Sequence, residues 1–295
     1  MNTSSPLLSS DRELDLSPES FGELRSSEDQ LGNMMALRAN LAEDGYLYLP
    51  GFFERDDVLA VRDEFLRRLR EAGALHPDGP DFEALASREA VTLSQPQAVD
   101  GNGVLRGLVF SRALMDFYAC LLGGPVRAYD HIWVRLIRPG RGTPPHCDLP
   151  YMGRGTRNVM TAWVPYRDTS LELGGLIVLE KSHLQAARIH TYLEKDADTY
   201  CVNRNSYKHK TAALSKDPVS LRKKFGGRWL TTEFRAGDLL TFGMTTIHAS
   251  LDNQTAAYRL STDTRYQLAA EPIDDRWVGS HTQEWTEKNR AGQIC

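Results

Sequence analysis

The chain has 295 residues, 41% hydrophobic and 9% aromatic, with a formal charge of -4; this allows one large or two small globular domains and leaves no global basic footprint for nucleic acid. Cys120, Cys147, Cys201 and Cys295 stand far apart with no C-x-x-C pair, against a zinc knuckle, a thioredoxin-type motif or a disulfide-dense secreted scaffold, so a reducing cytoplasm is expected. The opening "MNTSSPLLSSDRELDLSPES" lacks the basic and apolar regions of a signal peptide, and no stretch approaches the roughly 18 apolar residues of a membrane span, so no membrane partner is expected.

Residues 1–30 are rich in Ser, Asp, Glu and Pro and read as a flexible N-terminal arm without chemistry. "NMMALRANLAEDGYLYLPGFF" then gives an amphipathic helix ending near Asp44-Gly45 and a strand through Tyr46 and Tyr48, stopped by Pro50-Gly51. In "ERDDVLAVRDEFLRRLREAG" the helical spacing of Val58, Val61, Phe65 and Leu69 predicts a helix packed by one face on a sheet. Residues 75–105 carry no clear period, and 111–124 read as a helix stopped by glycine. Strands follow at 126–137, 159–166, 175–183, 229–243, 247–253 and 258–269. Many short strands after a helical N-terminal third predict a mainly β fold with packing helices, as an antiparallel sandwich or barrel. No internal repeat and no phosphate-binding glycine loop is found.

The chemistry starts at "TPPHCDLPY". On an extended strand His146 and Asp148 project to one side, which suits one imidazole and one carboxylate on one metal, although taken alone such a pair is more often two polar residues of a solvated loop. His248, at the start of a later strand, supplies a third ligand type. Two histidines and a carboxylate form the facial triad of non-haem Fe(II) enzymes, which leaves coordination positions open. Cys147, between the first two, is expected to point away and pack. Arg259 lies eleven residues beyond His248, and a planar guanidinium there suits the distal carboxylate of a dicarboxylic acid. The alternatives are a structural pairing with Asp252 or Asp263, and Arg265 as the rival arginine.

The run "HCDLPY", "MTAWVPYRDTSLELGGLIVLEKSHL" and "AGDLLTFGMTTIHASLDNQTAAYRLSTDTRY", preceded by "LAEDGYLYLPGFF", resembles the phytanoyl-CoA dioxygenase family of Fe(II)- and 2-oxoglutarate-dependent oxygenases. The likeness covers most of residues 35–270. It implies a double-stranded β-helix core, jelly-roll and cupin-like, forming a single domain over 31–295. It also implies that His146, Asp148 and His248 bind iron, that Arg259 and Ser250 hold the distal carboxylate of 2-oxoglutarate, and that Trp163 lines the cosubstrate pocket. His131, Trp133 and Arg135, which would share one strand face, fall where the family supplies further cosubstrate contacts. Fe(II), 2-oxoglutarate and O2 are the implied cofactors, with ascorbate as an auxiliary reductant. The implied reaction is hydroxylation of a small molecule with release of succinate and CO2. Halogenating relatives lack the carboxylate that Asp148 provides.

Residues 184–230 carry ten Lys or Arg against four Asp or Glu, a formal charge of +6. One reading is a solvated loop with some helix. The other is a lid whose basic side chains, with Tyr192, Tyr200 and Tyr207, meet an anionic substrate. Two further functions compete: a metal-binding cupin-type protein without turnover, and a metalloenzyme independent of 2-oxoglutarate, which would not need Arg259.

Overall fold

The computed structural model describes residues 6–89, 91, 93–197 and 212–279. In chain order the strands are β1 (Leu8–Ser9), β2 (Arg12–Glu13), β3 (Phe21–Glu23), β4 (Tyr46–Leu49), β5 (Val126–Ala128), β6 (Trp133–Ile137), β7 (Val159–Pro165), β8 (Leu176–Leu179), β9 (Trp229–Thr231), β10 (Leu239–Gly243), β11 (His248–Ser250) and β12 (Arg259–Leu268). Between β4 and β5 run α2 (Arg55–Glu71), α3 (Gln95–Val99), α4 (Gly103–Val109) and α5 (Arg112–Leu122), and α1 (Met34–Asp44) precedes β4. Capping chemistry sets the boundaries of α1: the Asn33 side chain accepts the Ala36 N–H, and Gly45 ends the helix at φ 79°, a left-handed position that suits glycine.

The larger sheet runs β4-β10-β7-β12-β5, with β6 also on β12, all antiparallel. The smaller runs β11-β8-β9-β3, its last pair parallel. Alternation along the larger sheet decides its two faces. Leu47, Leu49, Ala162, Val164, Leu239 and Leu260 join one core with residues of α2, α4 and α5. The alternate residues Tyr46, Tyr48, Trp163, Leu240 and Phe242 meet Leu176, Val178, Leu230 and Phe234 of or beside the smaller sheet. The layers are therefore helices, larger sheet and smaller sheet.

Two expectations are corrected. The mainly β, double-stranded β-helix core is not what the pairing gives. Helix outweighs strand, and both sheets stay open, with β4 and β5 at the ends of one and β11 and β3 at the ends of the other, so neither closes into a barrel or curls into a jelly roll. The helices bury the outer apolar face of the larger sheet, so closure is not needed to hide it. Residues 6–30 are also no free arm. Leu7, Leu14, Phe21 and Leu24 are buried, β3 pairs with β9, and Ser9 Oγ donates to Ser250 O at 2.8 Å. Sparse but well-placed apolar residues suffice to lay down a segment whose composition is otherwise that of a linker.

Candidate metal and cosubstrate site

His146 and His248 face each other across an isolated antiparallel bridge, each backbone N–H donating to the other's carbonyl at 3.0 Å. Asp148 is not on a strand: at φ -75°, ψ -26° it turns the chain into the short helix Leu149–Met152. The strand argument for a shared side was thus wrong in its geometry, yet the side chains converge. One ligand atom from each of His146, Asp148 and His248 lies within 4.8 Å of the others, all three residues buried. Asp148 Oδ1 is 3.8 Å from Nε2 of both histidines, too long for hydrogen bonds and wide enough for an ion with bonds of roughly 2 Å to nitrogen and oxygen.

The protonation states fit a cation. His146 Nδ1–H donates to Pro144 O at 2.9 Å and His248 Nδ1–H to Thr246 O at 3.1 Å, which leaves each Nε2 lone pair facing the cluster. Burial pushes His146 down to about 3 and lowers His248 as well, so both rings are neutral at pH 7. Burial acts to raise the Asp148 carboxyl, but the Arg265 guanidinium and the two imidazoles outweigh it and hold the group well below the usual carboxylate range. Cys147 is buried, with Sγ 3.4 Å from Thr245 O. Two neutral imidazoles and one carboxylate form the donor set that suits Fe(II).

The inner face of β12 extends the site. Arg259, Ser261, Asp263 and Arg265 alternate along it, opposite Trp163 and Thr161 of β7 and Arg135 of β6. Arg259 is 1% exposed, and burial lowers its pKa to about 10. Its Nη1 donates to Gly174 O at 2.5 Å, where Gly174 (φ +92°) leaves no room for a Cβ beside Leu251 O. The carboxylates weighed as its partners are committed elsewhere: Asp252 accepts the Ser10 and Asp11 N–H groups, and Asp263 accepts Arg135 Nε at 2.8 Å. Arg259 Nε, Ser261 Oγ and Trp163 Nε1 are buried without a hydrogen-bond partner among the described residues. Ser250 Oγ accepts the Thr143 N–H at 2.8 Å and keeps its own proton to donate. Orphaned donors around a buried guanidinium fit an incoming carboxylate.

His131 and Trp133 stand in an aromatic cluster with Trp277, ring centroids 4.5 Å apart for His131 and Trp133 and 4.7 Å for Trp133 and Trp277. Trp133 stacks under Arg265 at 4.6 Å, six residues along β12 from Arg259. Arg265, considered only as a rival for the cosubstrate, instead pairs with Asp148. Thr161, Ser261 and the Arg135–Asp263 pair were missed. Parity puts Thr161 on the face of Trp163, and Ser261 and Asp263 on the face of Arg259, but only the register sets Thr161 across from Arg265 and brings Arg135 of β6 to Asp263.

Of the basic 184–230 segment, Ile189, Tyr192, Leu193, Leu221 and Phe225 join a core with Cys147, Leu149 and Met152. Tyr192 Oη accepts the Cys147 N–H at 3.2 Å, and Leu214 N–H donates to Pro145 O at 2.9 Å. Arg228 pairs with Glu180 at 2.7 Å. Tyr200, Arg204, Tyr207, Lys208 and Lys210 lie outside the described residues.

A family model described as phytanoyl-CoA dioxygenase (PhyH) matches residues 41–261. The 1-deoxypentalenic acid 11-beta-hydroxylase of Streptomyces exfoliatus is 24% identical over 243 residues, 77% of this chain and 79% of the relative. Among solved structures, the non-heme alpha ketoglutarate dependent carbocyclase SnoK from nogalamycin biosynthesis matches with TM-score 0.56 and 19% identity, over 90% of this chain and 94% of its own. The epimerase SnoN, in complex with Fe3+, alpha ketoglutarate and nogalamycin RO, matches with TM-score 0.55 and 22% identity, over 82% and 86%. At these identities the solved structures establish a shared fold.

Proposed function

The chain belongs to the phytanoyl-CoA dioxygenase family of non-haem Fe(II)- and 2-oxoglutarate-dependent oxygenases, and from that premise we propose that it hydroxylates a small, carboxylate-bearing organic molecule. In this reading His146, Asp148 and His248 hold Fe(II). Arg259, with Ser250, Ser261 and Trp163, receives the distal carboxylate of 2-oxoglutarate. When bound, iron and cosubstrate supply an oxidation by O2 in which 2-oxoglutarate becomes succinate and CO2 and one oxygen atom enters a substrate C–H bond. The chain's own residues bind, orient and exclude water. Backbone carbonyls fix the tautomers of His146 and His248, and burial keeps both rings neutral at pH 7. Arg259 fixes the far end of the cosubstrate and so sets where its keto acid end lies relative to the three ligands.

The observation that carries this reading is the pairing, in one buried site, of a complete two-histidine, one-carboxylate cluster with an arginine that makes no ion pair with a carboxylate among the described residues, the nearby Asp263 being paired with Arg135. An acidic substrate is supported by the +6 charge of 184–230, which this reading treats as a lid, and by the relative that acts on 1-deoxypentalenic acid. Free thiols at Cys120 and Cys147 accord with a reducing cytoplasm, and no helix among the described residues is long and apolar enough to cross a membrane. Ascorbate would serve only to return oxidised iron to Fe(II). The test is a panel of apolar carboxylic acids, screened for succinate release and for a product carrying one atom from isotopically labelled O2. Substrate-dependent succinate with label in the product is expected. Succinate release stimulated by no acid, but by neutral or cationic compounds, would overturn the substrate class.

A further inference from the structure

Asp148 presents two different oxygens. Oδ1 is the one 3.8 Å from both histidine Nε2 atoms. Oδ2 accepts Thr161 Oγ1–H at 2.5 Å and lies 3.0 Å from Arg265 Nη2. Thr161 and Arg265 are direct cross-strand neighbours on β7 and β12, so the sheet register itself brings both donors to one oxygen. Arg265 is in turn fixed along its length: Nε approaches Met152 Sδ at 3.1 Å, Nη1 donates to Thr264 O at 3.3 Å, and the guanidinium lies over Trp133 at 4.6 Å. Its side chain is 2% exposed and that of Asp148 4%, so water does not compete for either group.

We infer that Arg265 and Thr161 are positioning residues for the metal centre: they occupy Oδ2 of Asp148 and commit the carboxylate to bind the ion through Oδ1 alone. A carboxylate free at both oxygens can chelate a cation and fill two positions. One tied at Oδ2 fills a single position, and a facial triad needs the others for cosubstrate and oxygen. The arrangement also satisfies the buried carboxylate before any metal arrives, so the ligand does not collapse onto an imidazole. The inference rests on the proposed metal centre.

The test is anaerobic titration of the full chain with Fe(II), and with Co(II) as a spectroscopic probe, in the parent, Thr161→Val and Arg265→Lys. Thr161→Val keeps shape and charge while removing the hydroxyl, so it remains informative if Arg265→Lys fails to fold, which thermal melting reports. Both substitutions are expected to weaken metal binding on the order of 10-fold to 100-fold, as the carboxylate loses its fixed orientation, and to change the visible Co(II) absorption, as Oδ2 is loosened from its donors and can turn towards the ion. The two together should cost less than the product of the separate effects, because they act on one oxygen. Unchanged metal affinity and an unchanged Co(II) spectrum in both variants would overturn the inference while leaving the metal centre standing. A parent that binds neither ion would overturn both.

Discussion

The two ends of the inner face of β12 differ in how completely the chain satisfies them. At the Arg265 end the polar atoms behind the three candidate ligand atoms all have partners: both histidine Nδ1 atoms on carbonyls, and Asp148 Oδ2 on Thr161 and Arg265. At the Arg259 end, six residues away, Arg259 Nε, Ser261 Oγ and Trp163 Nε1 are buried and unpaired among the described residues. A resident ion wants ligands held in place before it arrives, whereas a cosubstrate that binds and leaves every cycle wants donors that it alone satisfies. In the proposed reading, completeness at one end and deficit at the other distinguish the place of a resident ion from that of a cosubstrate.

The sharpest way to break this contrast is at the complete end. Asp148→Ala removes a ligand and leaves Arg265 buried without its carboxylate. It should abolish Fe(II)-dependent succinate formation and lower stability by about 3 to 5 kcal/mol, read by denaturant melts of the metal-free chain. Arg259→Ala works on the deficient end. It should weaken 2-oxoglutarate by about 2 to 3 kcal/mol, roughly 30-fold to 150-fold, with Fe(II) affinity retained, since nothing in the cluster touches it. A loss of metal binding in that variant would show that the two ends are not separate.

Acid should expose the complete end next. Burial holds His131 and His146 at about 3, against a usual 6.5, and lowers His248. The unfolded chain therefore binds more protons than the native one below pH 6.5, and stability falls as pH drops from there towards 3. His131 and His146 each contribute a slope of about 1.4 kcal/mol per pH unit over that range, and His248 adds in the same direction. Melting temperatures of the metal-free chain from pH 7 to pH 5 should fall steadily, and a flat profile would contradict the burial of neutral imidazoles. The smallest expected effects are at the orphans. Ser261→Ala and Trp163→Phe each remove a donor that is unpaired among the described residues, so 2-oxoglutarate should weaken by about 0.5 to 1.5 kcal/mol, read by titration; metal-free stability should hold in Ser261→Ala and fall in Trp163→Phe, where the smaller ring leaves a cavity in a fully buried place. A stability loss without any change in 2-oxoglutarate affinity would make those donors structural.

The convergence of His146, Asp148 and His248 was legible from the later strand histidine and the family resemblance rather than from the H-x-D pair alone, and the structure brings the three together in one buried cluster. Arg259, the candidate cosubstrate arginine, stood out by its spacing from His248. Thr161 was not, since a threonine in an apolar strand is ordinary until register sets it across from Arg265. The helices α1, α2 and α5 and most strands carried their own signals of period and capping. The fold class did not follow, because strand count says nothing of whether sheets close. Here the helical layer covers the larger sheet and both sheets stay open. The N-terminal segment misled for a related reason: its polar composition hid the few residues, Leu7, Leu14 and Phe21, that anchor it.

The most direct test of the central claim, that one buried site holds Fe(II) and 2-oxoglutarate together, is an anaerobic titration of the metal-loaded chain with 2-oxoglutarate, followed by absorption spectroscopy. A visible charge-transfer band that saturates at one equivalent, is missing in His248→Ala and needs much more 2-oxoglutarate in Arg259→Ala is the expected result. A chain that binds Fe(II) yet develops no band at any concentration of 2-oxoglutarate would contradict it.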